Sequence, residues 1–451
     1  MLSTSFYYIS QNYYIPSFNR MRAEHPSELT SYLKSALTKN FLLSSAISLG
    51  LIVFSGYILG LFLGVSKSEE VKLAGNVFLI YSVTLPFSLI ISVLVSWEYF
   101  KNRYLHPLIS QIWPNLFIIL FVLFGAREFG VYAIAFGYLT GSIIQFIHLL
   151  IVSGNDLRGS TTKGVGNIIK LRVVPAFLVV VFIEIVGQLN PLIDRMFFSK
   201  LQEGSISALN YANNLMLLPV SMVAMAFSTA LFPKVSEYYA RRDYESLRSK
   251  LGQSVELITF LFLPLAAIFL LFPVEVVKLI YIKSSFTPED LYLVSSSFFI
   301  LVLSLVFYSV YAVFSKFIYG INEAKILLGI NAAAIVIKLG INIIFVDKFN
   351  YLALAASSSV SYLFLFSASF FVLIKRIGGV NRTEAGNILK ILGALGITLA
   401  IGGFFGEMFI YSSPYLKIGV ILFLLAVYLF VCHLMKLRIL ILVFKREAGY
   451  E

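Results

Sequence analysis

Long, continuous apolar runs recur along the whole of this 451-residue chain. A membrane-spanning helix needs about 20 mostly apolar residues, and runs without two-residue alternation disfavour a transmembrane barrel. The composition agrees, because 59% of the residues are hydrophobic and 13% are charged, against about 25% charged in soluble domains. The sequence therefore predicts an all-α, polytopic membrane protein. Residues 1–18 are predicted to be the tail of another helix. Twelve complete spans follow, at 40–64, 74–97, 107–125, 129–152, 171–198, 205–232, 252–281, 291–318, 326–346, 351–374, 388–411 and 415–442.

The loops between these spans alternate in charge. Of the 35 Lys and Arg residues, 25 fall in loops or span ends on one side, 9 fall in loops or span ends on the other, and one, Lys338, lies deep within a span. Cytoplasmic loops are enriched in Lys and Arg, so the basic side is predicted to be cytoplasmic, with the C-terminus on that side. This bias explains most of the net charge of +12, and no nucleic-acid partner is expected.

A Gly/Ser/Thr-rich loop at 153–166 divides the chain, because this composition makes a flexible linker. The linker is predicted to be cytoplasmic. It separates an N-lobe at 1–152 from a C-lobe at 167–376, and two additional transmembrane helices follow at 388–442.

The two lobes look like weak internal repeats. Three segment pairs match at a nearly constant offset in the numbering: Ile15-Pro16 with Phe232-Pro233, 98–109 with 316–327, and 131–139 with 351–359. Internal repeats are common in transporters, whose substrate sites lie at the repeat interface. Extending the offset predicts that the N-lobe lacks its first helix and most of its second, through either a misassigned start or a true truncation.

Polar side chains at membrane depth concentrate in the two apolar helices between Ile183 and Lys234. Such groups are costly in hydrocarbon and usually face a protein interior or a water-filled cavity. They are Glu184, Gln188, Asn190, Asp194 and Arg195 on the first helix, and Asn210, Asn213 and Asn214 on the second.

The same region carries a family resemblance. Residues 194–212, DRMFFSKLQEGSISALNYA, and 218–243, LPVSMVAMAFSTALFPKVSEYYARRD, resemble the MurJ/MviN lipid II flippases of the multidrug/oligosaccharidyl-lipid/polysaccharide exporter superfamily. The resemblance implies a fourteen-helix bundle in the bacterial inner membrane that flips the undecaprenyl-pyrophosphate-linked peptidoglycan precursor outward by alternating access. It also implies a cationic cavity between two lobes and a lipid-tail groove along the last two helices. Asn213 and Asn214 stand where the family usually has Asp-Arg.

Seven polar residues are candidates for the substrate cavity: Asn213, Asn214, Arg195, Asn210, Gln188, Arg20 and Arg22. Asparagine can donate hydrogen bonds to a pyrophosphate but brings no charge, whereas arginine offers a forked, charge-assisted contact. Arg20 and Arg22 are predicted to lie in a cytoplasmic loop. There they contact the pyrophosphate or anionic headgroups, or they serve the membrane topology alone.

Five residues are candidates for ion coupling: Asp194, Lys338, Asn342, Ser358 and Glu184. Lys338 lies too deep in its span to reach the membrane surface easily. The resemblance implies a sodium site in the matching region of some family members. We expect the Lys338 ammonium to replace that ion and to pair with Asp194, near Asn342 and Ser358; the alternative is a static structural ion pair. Glu184 is either a protonatable site or a neutral, hydrogen-bonded carboxyl group.

No catalytic motif, phosphate loop or metal-ligand spacing is visible, so we expect no enzyme, no cofactor and no metal site. The expected partners are a lipid-linked oligosaccharide and membrane lipids, the chain is expected to be a monomer, and Na⁺, H⁺ or the membrane potential supplies the drive. Three alternatives stay open. They are a flippase for another lipid-linked polysaccharide, such as a capsule or O-antigen precursor, an ion-coupled exporter of small amphiphiles, and a non-transporting membrane scaffold.

Overall fold

The computed structural model describes most of the chain: residues 2–57, 69–157, 204–281, 286–404 and 414–435, with Leu437 and scattered residues between 182 and 202. Every regular element in these ranges is helical, and they contain no strand. The predicted all-α architecture is therefore confirmed.

Among the described residues before 158 there are six helices, and a short 3₁₀ turn (Pro26–Glu28) separates the first two. They are α1 (Leu2–Glu24), α2 (Leu29–Val53), α3 (Glu69–Phe100), α4 (Leu105–Ser110), α5 (Ile112–Phe129) and α6 (Tyr132–Leu157). The helix predicted over 1–18 continues to Glu24, because Phe18 and Met21 on its last turns are buried in the core. The prediction of a loop at Arg20 and Arg22 is therefore wrong, since both lie on α1.

The described parts of the chain after residue 204 contain ten helices. They are α7 (Ser205–Pro219), α8 (Ala226–Ala240), α9 (Tyr244–Leu271), α10 (Pro273–Tyr281), α11 (Pro288–Val302), α12 (Leu305–Gly320), α13 (Ala324–Phe349), α14 (Tyr351–Ile377), α15 (Arg382–Phe404) and α16 (Pro414–Leu434). A π-helical segment, Val220–Met225, joins α7 to α8 directly after Pro219. The proline ring and its missing N–H disturb the regular hydrogen-bond ladder at this point.

Within the described residues, nine helical stretches are long and apolar enough to cross a membrane, or ten if the bent pair α11–α12 counts as one span. The polytopic membrane architecture is thus confirmed. Two of the twelve predicted spans are not among these ten. Residues 171–198 lie mostly outside the described residues, and 415–442 corresponds to α16, whose described part is a shorter apolar helix.

Two predicted spans are not single straight helices. The span at 252–281 breaks at Phe272, which leaves the helical conformation (φ −129°, ψ 47°) before Pro273. The residue before a proline is disfavoured in the α conformation, which explains the break. The span at 291–318 bends by 52° between α11 and α12. There the Ser304 hydroxyl donates to the Leu301 carbonyl at 2.7 Å, and such a bond competes with the helix ladder.

The chain forms two compact units. The first unit contains Met1–Glu184 together with Phe232–Arg241, and the second contains Ile185–Leu231 together with Arg242–Glu451. Helix α8 therefore begins in the second unit and ends in the first, whereas the predicted C-lobe contained all of it. Helix α6 continues through Leu157, so the first five residues of the predicted linker are helical, and its remainder lies outside the described residues.

The first unit is built on an aromatic core. The Phe18 ring contacts Trp97 and Phe100, with centroids 5.2 and 5.6 Å apart. The end of α8 joins this core through Asn19, whose side-chain amide donates to the Pro233 carbonyl at 3.3 Å. These contacts explain why the last turns of α8 belong to the first unit.

Three helix ends of the first unit recur in the second at one constant offset in the numbering. Phe100, Phe129 and Leu157 end α3, α5 and α6, while Gly320, Phe349 and Ile377 end α12, α13 and α14. The turns recur as well, because Asn102 and Asn322 have φ of 59° and 61°, and Gly130 and Asn350 have φ of 53° and 51°. The predicted repeat is confirmed, but its register changes in one place, because 98–109 corresponds to 318–329 rather than to 316–327.

The α5–α6 hairpin packs closely at a glycine. A Cβ added to Gly141 would lie 2.5 Å from the Cα of Pro114. At the matching crossing in the second unit, Ser361 donates from Oγ to the Ala334 carbonyl at 3.2 Å. Ser361 and Ala334 follow Gly141 and Pro114 at the same offset as the helix ends, so both repeats keep the same point of close approach between the two helices of the hairpin.

Each repeat also has one ion pair at the same place, with reversed polarity. In the first unit, Arg103 Nη1 lies 3.6 Å from Asp156 Oδ2. At the matching positions of the second unit, Glu323 Oε1 lies 2.8 Å from Arg376 Nε. Each pair links the turn before a helix hairpin to the last turn of that hairpin.

The reversal continues at the other end of the hairpins. Arg127 and Glu128, exposed at the end of α5, correspond to Asp347 and Lys348, exposed at the end of α13. The signs of the charges are therefore reversed between the repeats at both ends of the hairpin.

Candidate functional site

The second unit contains a cavity of about 640 Å³ with a mixed polar and apolar lining. Its wall combines residues 190 and 194 with one face each of α7, α11, α13 and α14. The polar lining residues are Asn190, Asp194, Asn210, Asn213, Lys338, Ser358 and Tyr362, and the apolar ones are Ile206, Leu209, Leu217, Leu301, Leu354 and Ala355.

An ion pair crosses the wall of this cavity. Lys338, in the middle of α13 and 3% exposed, donates from Nζ to Asp194 Oδ2 at 2.8 Å and to Asn190 Oδ1 at 2.6 Å. The two acceptors are four residues apart, which places them one helical turn from each other. An isolated buried charge costs several kcal/mol, so Asp194 and Asn190 together make the position of Lys338 tolerable. The structure places Lys338 against Asp194 as the sequence predicted.

Asn342 adjoins the ion pair. It lies one turn after Lys338 on α13 and is fully buried, outside the cavity lining. Its side chain interacts with the Asp194 carboxylate, although neither of its polar atoms makes a hydrogen bond of standard geometry to a described residue. Asn342 therefore belongs to the immediate surroundings of the ion pair.

Two asparagines of α7 face the cavity. Asn210 and Asn213 lie on one helical face with Ile206 and Leu217, because their spacings are three and four residues. Asn214 is exposed and is not part of the cavity lining. Of the three asparagines predicted for the substrate cavity, two therefore line this cavity and the third does not.

Helix α14 contributes a hydroxyl group and an aromatic ring. Ser358 and Tyr362 lie one turn apart on the face of α14 that lines the cavity. The Tyr362 ring packs against Tyr308 of α12, with ring centroids 4.1 Å apart. Ser358 was predicted from the sequence, whereas Tyr362 was not, because a tyrosine in an apolar helix has no distinctive pattern.

Arg20 and Arg22 make ion pairs within the first unit. Arg20 lies 3.7 Å from Glu24, and Arg22 lies 3.9 Å from Glu237 of α8. The Arg22 guanidinium also stacks over the Phe100 ring at 4.4 Å. Both arginines are about half-exposed, and the cavity residues all belong to the second unit.

Three predicted site residues, Glu184, Gln188 and Arg195, lie outside the described residues. Asn190 was recognised as a polar residue at membrane depth but received no role, although it contacts Lys338 directly. The sequence signal for this contact was the position of Asn190 four residues before Asp194. Among the described residues there is no group of three His, Cys, Asp or Glu side chains that could hold a metal ion.

A shallow apolar depression lies where α9 meets the last two helices. Its lining comes from Pro264–Phe272 on α9 and the following turn, from Leu395–Leu399 on α15, and from Ile421–Tyr428 on α16. The Tyr428 hydroxyl donates to the Phe260 carbonyl at 3.0 Å, which anchors α16 to α9. This is the region predicted to contact the lipid tail.

A match to a protein-family model covers nearly the whole chain. The family model described as lipid II flippase MurJ matches residues 10–430. The chain belongs to this family. Its members are transporters and not enzymes, and they are multi-pass membrane proteins. A probable lipid II flippase MurJ of Borreliella burgdorferi is 24% identical over 371 residues, which is 80% of this chain and 72% of that protein.

Two solved structures share the fold of this chain. A lipid II flippase MurJ in an inward closed conformation matches with a TM-score of 0.63 at 20% identity, covering 97% of this chain and 93% of that one. The Vibrio cholerae MATE transporter VcmN in the bent form matches with a TM-score of 0.73 at 11% identity, covering 86% and 87%. At these identities the likeness concerns the fold alone.

Proposed function

We propose that this chain flips lipid II, the undecaprenyl-pyrophosphate-linked peptidoglycan precursor, to the outer face of the bacterial inner membrane by alternating access. The family match over residues 10–430 carries the proposal. The cavity of the second unit supports it, because a lipid headgroup that crosses a bilayer needs polar groups at membrane depth. Asn210 and Asn213 are the proposed cargo contacts there, and Gln188, Arg195, Arg20 and Arg22 are proposed contacts elsewhere on its route. Asn214 is outside the cavity lining and is not proposed as a contact.

The test is complementation of a bacterium depleted of its own lipid II flippase, with this chain expressed at a verified membrane level. Growth together with lipid II exposure on the outer leaflet is the expected result. A well-inserted chain that leaves lipid II in the inner leaflet would overturn the proposal.

Ion coupling is proposed to act through Lys338 and Asp194. The Lys338 ammonium stands in for a bound cation, and its contacts with Asp194 and Asn190 are remade as the cargo site changes access. Asn342 supports this pair from the neighbouring turn of α13, Ser358 supports it from α14, and Glu184 is a further proposed protonatable group. No separate metal or organic cofactor is proposed.

A second candidate keeps the mechanism and changes the cargo to another lipid-linked glycan. The observation in its favour is that Asn213 and Asn214 occupy the place of the Asp-Arg expected from the resemblance. Asparagine has no charge for a pyrophosphate. The two candidates separate in cells that need a capsule or O-antigen flippase, because only the second predicts restoration of that surface glycan.

The orientation and assembly are part of the same proposal. The C-terminus is cytoplasmic because the basic loops are on its side of the membrane, the lipid tail lies along α15 and α16, and the protein works as a monomer. A C-terminal fluorescent-protein fusion that is bright and a C-terminal alkaline-phosphatase fusion that is inactive are the expected results for the orientation.

A further inference from the structure

We propose that the cavity of the second unit binds uncharged amide groups of the cargo, those of an acetamido sugar or of the backbone of its attached peptide, and excludes the pyrophosphate. This inference rests on the proposed function, since it concerns which portion of the lipid-linked cargo enters this cavity. It assigns Asn210 and Asn213 as specificity-determining residues for that portion.

The first step is the charge of the cavity. Among the described lining residues, Lys338 and Asp194 are the charged ones, and they are 2.8 Å apart. Their charges cancel, so a dianionic group gains little attraction here. Asp194 is the more accessible partner, with 28% of its side chain exposed against 4% for Lys338. An anion in the cavity would therefore meet the carboxylate more readily than the ammonium, and like charges at close range repel.

The second step is the hydrogen-bonding pattern. Asn210 and Asn213 each offer a carbonyl acceptor and an NH₂ donor, and neither makes a side-chain hydrogen bond within the described part of the chain. An acetamido group or a peptide bond presents the complementary set, one donor and one acceptor. A pyrophosphate presents acceptors only, so half of the capacity of each carboxamide would be left unused.

The third step is the remaining surface and size. The asparagines alternate with Ile206, Leu209 and Leu217 on α7, and Tyr362 presents part of its ring from α14. Sugar rings and acetyl groups carry apolar faces that such a lining can cover. The volume of about 640 Å³ falls in the range of roughly 300–1,000 Å³ that is typical of small-molecule sites.

The experiment measures binding of a soluble muropeptide, an N-acetylglucosaminyl-N-acetylmuramyl peptide without lipid or pyrophosphate, to the full chain in lipid nanodiscs. Asn210→Ala and Asn213→Ala are each expected to weaken binding roughly 5-fold, the cost of losing one or two hydrogen bonds. Asn214→Ala is the matched control, because Asn214 adjoins Asn213 on the same helix but is outside the cavity lining; binding by this variant is expected to be unchanged.

A second measurement tests the exclusion of pyrophosphate. Inorganic pyrophosphate is expected not to compete with the muropeptide in the unaltered chain. Asp194→Asn leaves the Lys338 charge uncompensated, so pyrophosphate is expected to become a competitor in that variant. The double variant Asp194→Asn with Lys338→Met has no cavity charge and is expected to lose this competition again, which separates charge from a folding defect.

Three outcomes are distinguishable. Equal muropeptide binding by the Asn213→Ala and Asn214→Ala variants, or competition by pyrophosphate in the unaltered chain, overturns the inference while lipid II flipping stands. Muropeptide binding without flipping of lipid II overturns the proposed function and leaves the chemical assignment of the cavity in place. Binding that follows the predicted order, together with flipping, supports both.

Discussion

Lys338 is bound by two acceptors on the same neighbouring turn, Asp194 and Asn190, and this arrangement decides how the chain responds to substitution. Removing one partner of a buried ion pair leaves the other charge uncompensated, which costs more than the pair itself contributes. The partial exposure of Asp194 moderates this cost, because water still reaches one side of the carboxylate.

Lys338→Met is therefore expected to lower the free energy of unfolding by about 2–3 kcal/mol, near the lower end of the range for broken buried pairs. The double variant Lys338→Met with Asp194→Asn is expected to lose about 1 kcal/mol, because no charge is then stranded. Denaturant unfolding of the purified proteins in detergent checks both values. Equal losses in the two variants would contradict the account.

The Lys338–Asp194 contact could be predicted because Lys338 lies deep in an apolar span and because the resemblance implies a sodium site that includes this aspartate. The sequence did not allow Asn213 and Asn214 to be told apart. Neighbouring residues on a helix point about 100° apart, and only the rotation of α7 in the packed structure decides which of them faces the cavity. The contact of Asn190 was missed because the sequence offers four other polar residues on the same helix and does not show which of them face Lys338.

At the scale of helices, the close crossing of α5 and α6 depends on Gly141. Gly141→Ala is expected to cost about 1–3 kcal/mol, because its Cβ would meet the backbone of Pro114 and force the hairpin apart. Gly154→Ala is the matched control on the same helix, since no atom lies within 4 Å of its added Cβ. Thermal unfolding of the two variants is the measurement, and a Gly141→Ala protein as stable as the Gly154→Ala protein would refute the packing argument.

The ion pair between Glu323 and Arg376 gives a second test at this scale. Arg376→Glu places two carboxylates together and is expected to cost about 1 kcal/mol, the upper end for a partly exposed pair. Adding Glu323→Arg is expected to recover most of that loss, although an arginine at the start of α13 is less favourable there than a glutamate. The readout is the free energy of unfolding, and no recovery in the double variant would show that the pair contributes nothing.

Hydropathy located most helices well and their interruptions poorly. The stretches around α3, α13 and α14 were predicted to within a few residues, because about 20 apolar residues leave a bilayer-spanning chain few choices. The span predicted at 40–64 is displaced, since α2 covers Leu29–Val53. The break at Phe272 follows from the proline after it, and the 52° bend after α11 accompanies a single side-chain hydrogen bond; average hydropathy records neither. The extension of α1 to Glu24 was missed because its last turns are held by tertiary contacts with the aromatic core.

At the scale of the whole molecule, the Lys338 ammonium predicts the ion requirement of transport. If it replaces a bound sodium ion, flipping by the unaltered chain is expected to proceed equally well with and without a sodium gradient. Lys338→Ala is expected to slow flipping at least several-fold in sodium-free buffer and to regain part of the rate when Na⁺ is added. Lipid II accessibility in proteoliposomes is the measurement.

Identical flipping rates and ion dependence for the Lys338→Ala and unaltered proteins would contradict ion coupling and leave the ion pair with a structural role alone. Asn342→Ala is expected to change the flipping rate less than Lys338→Ala does. Asn342 lies one turn from Lys338, and its substitution leaves the ammonium in place.

The reversed polarity of the two hairpin ion pairs has a consequence for which helices pair with each other during folding. Helices inserted into a bilayer find their partners afterwards, and two modules with the same turns and the same crossing points are nearly interchangeable by shape. An α14 placed against the turn at Arg103 would bring two arginines together, and an α6 placed against Glu323 would bring two carboxylates together. The sign of the charge therefore distinguishes the two halves of a duplicated architecture during assembly. A chain engineered with the same charge signs in both halves would lack this discrimination between correct and incorrect helix pairs.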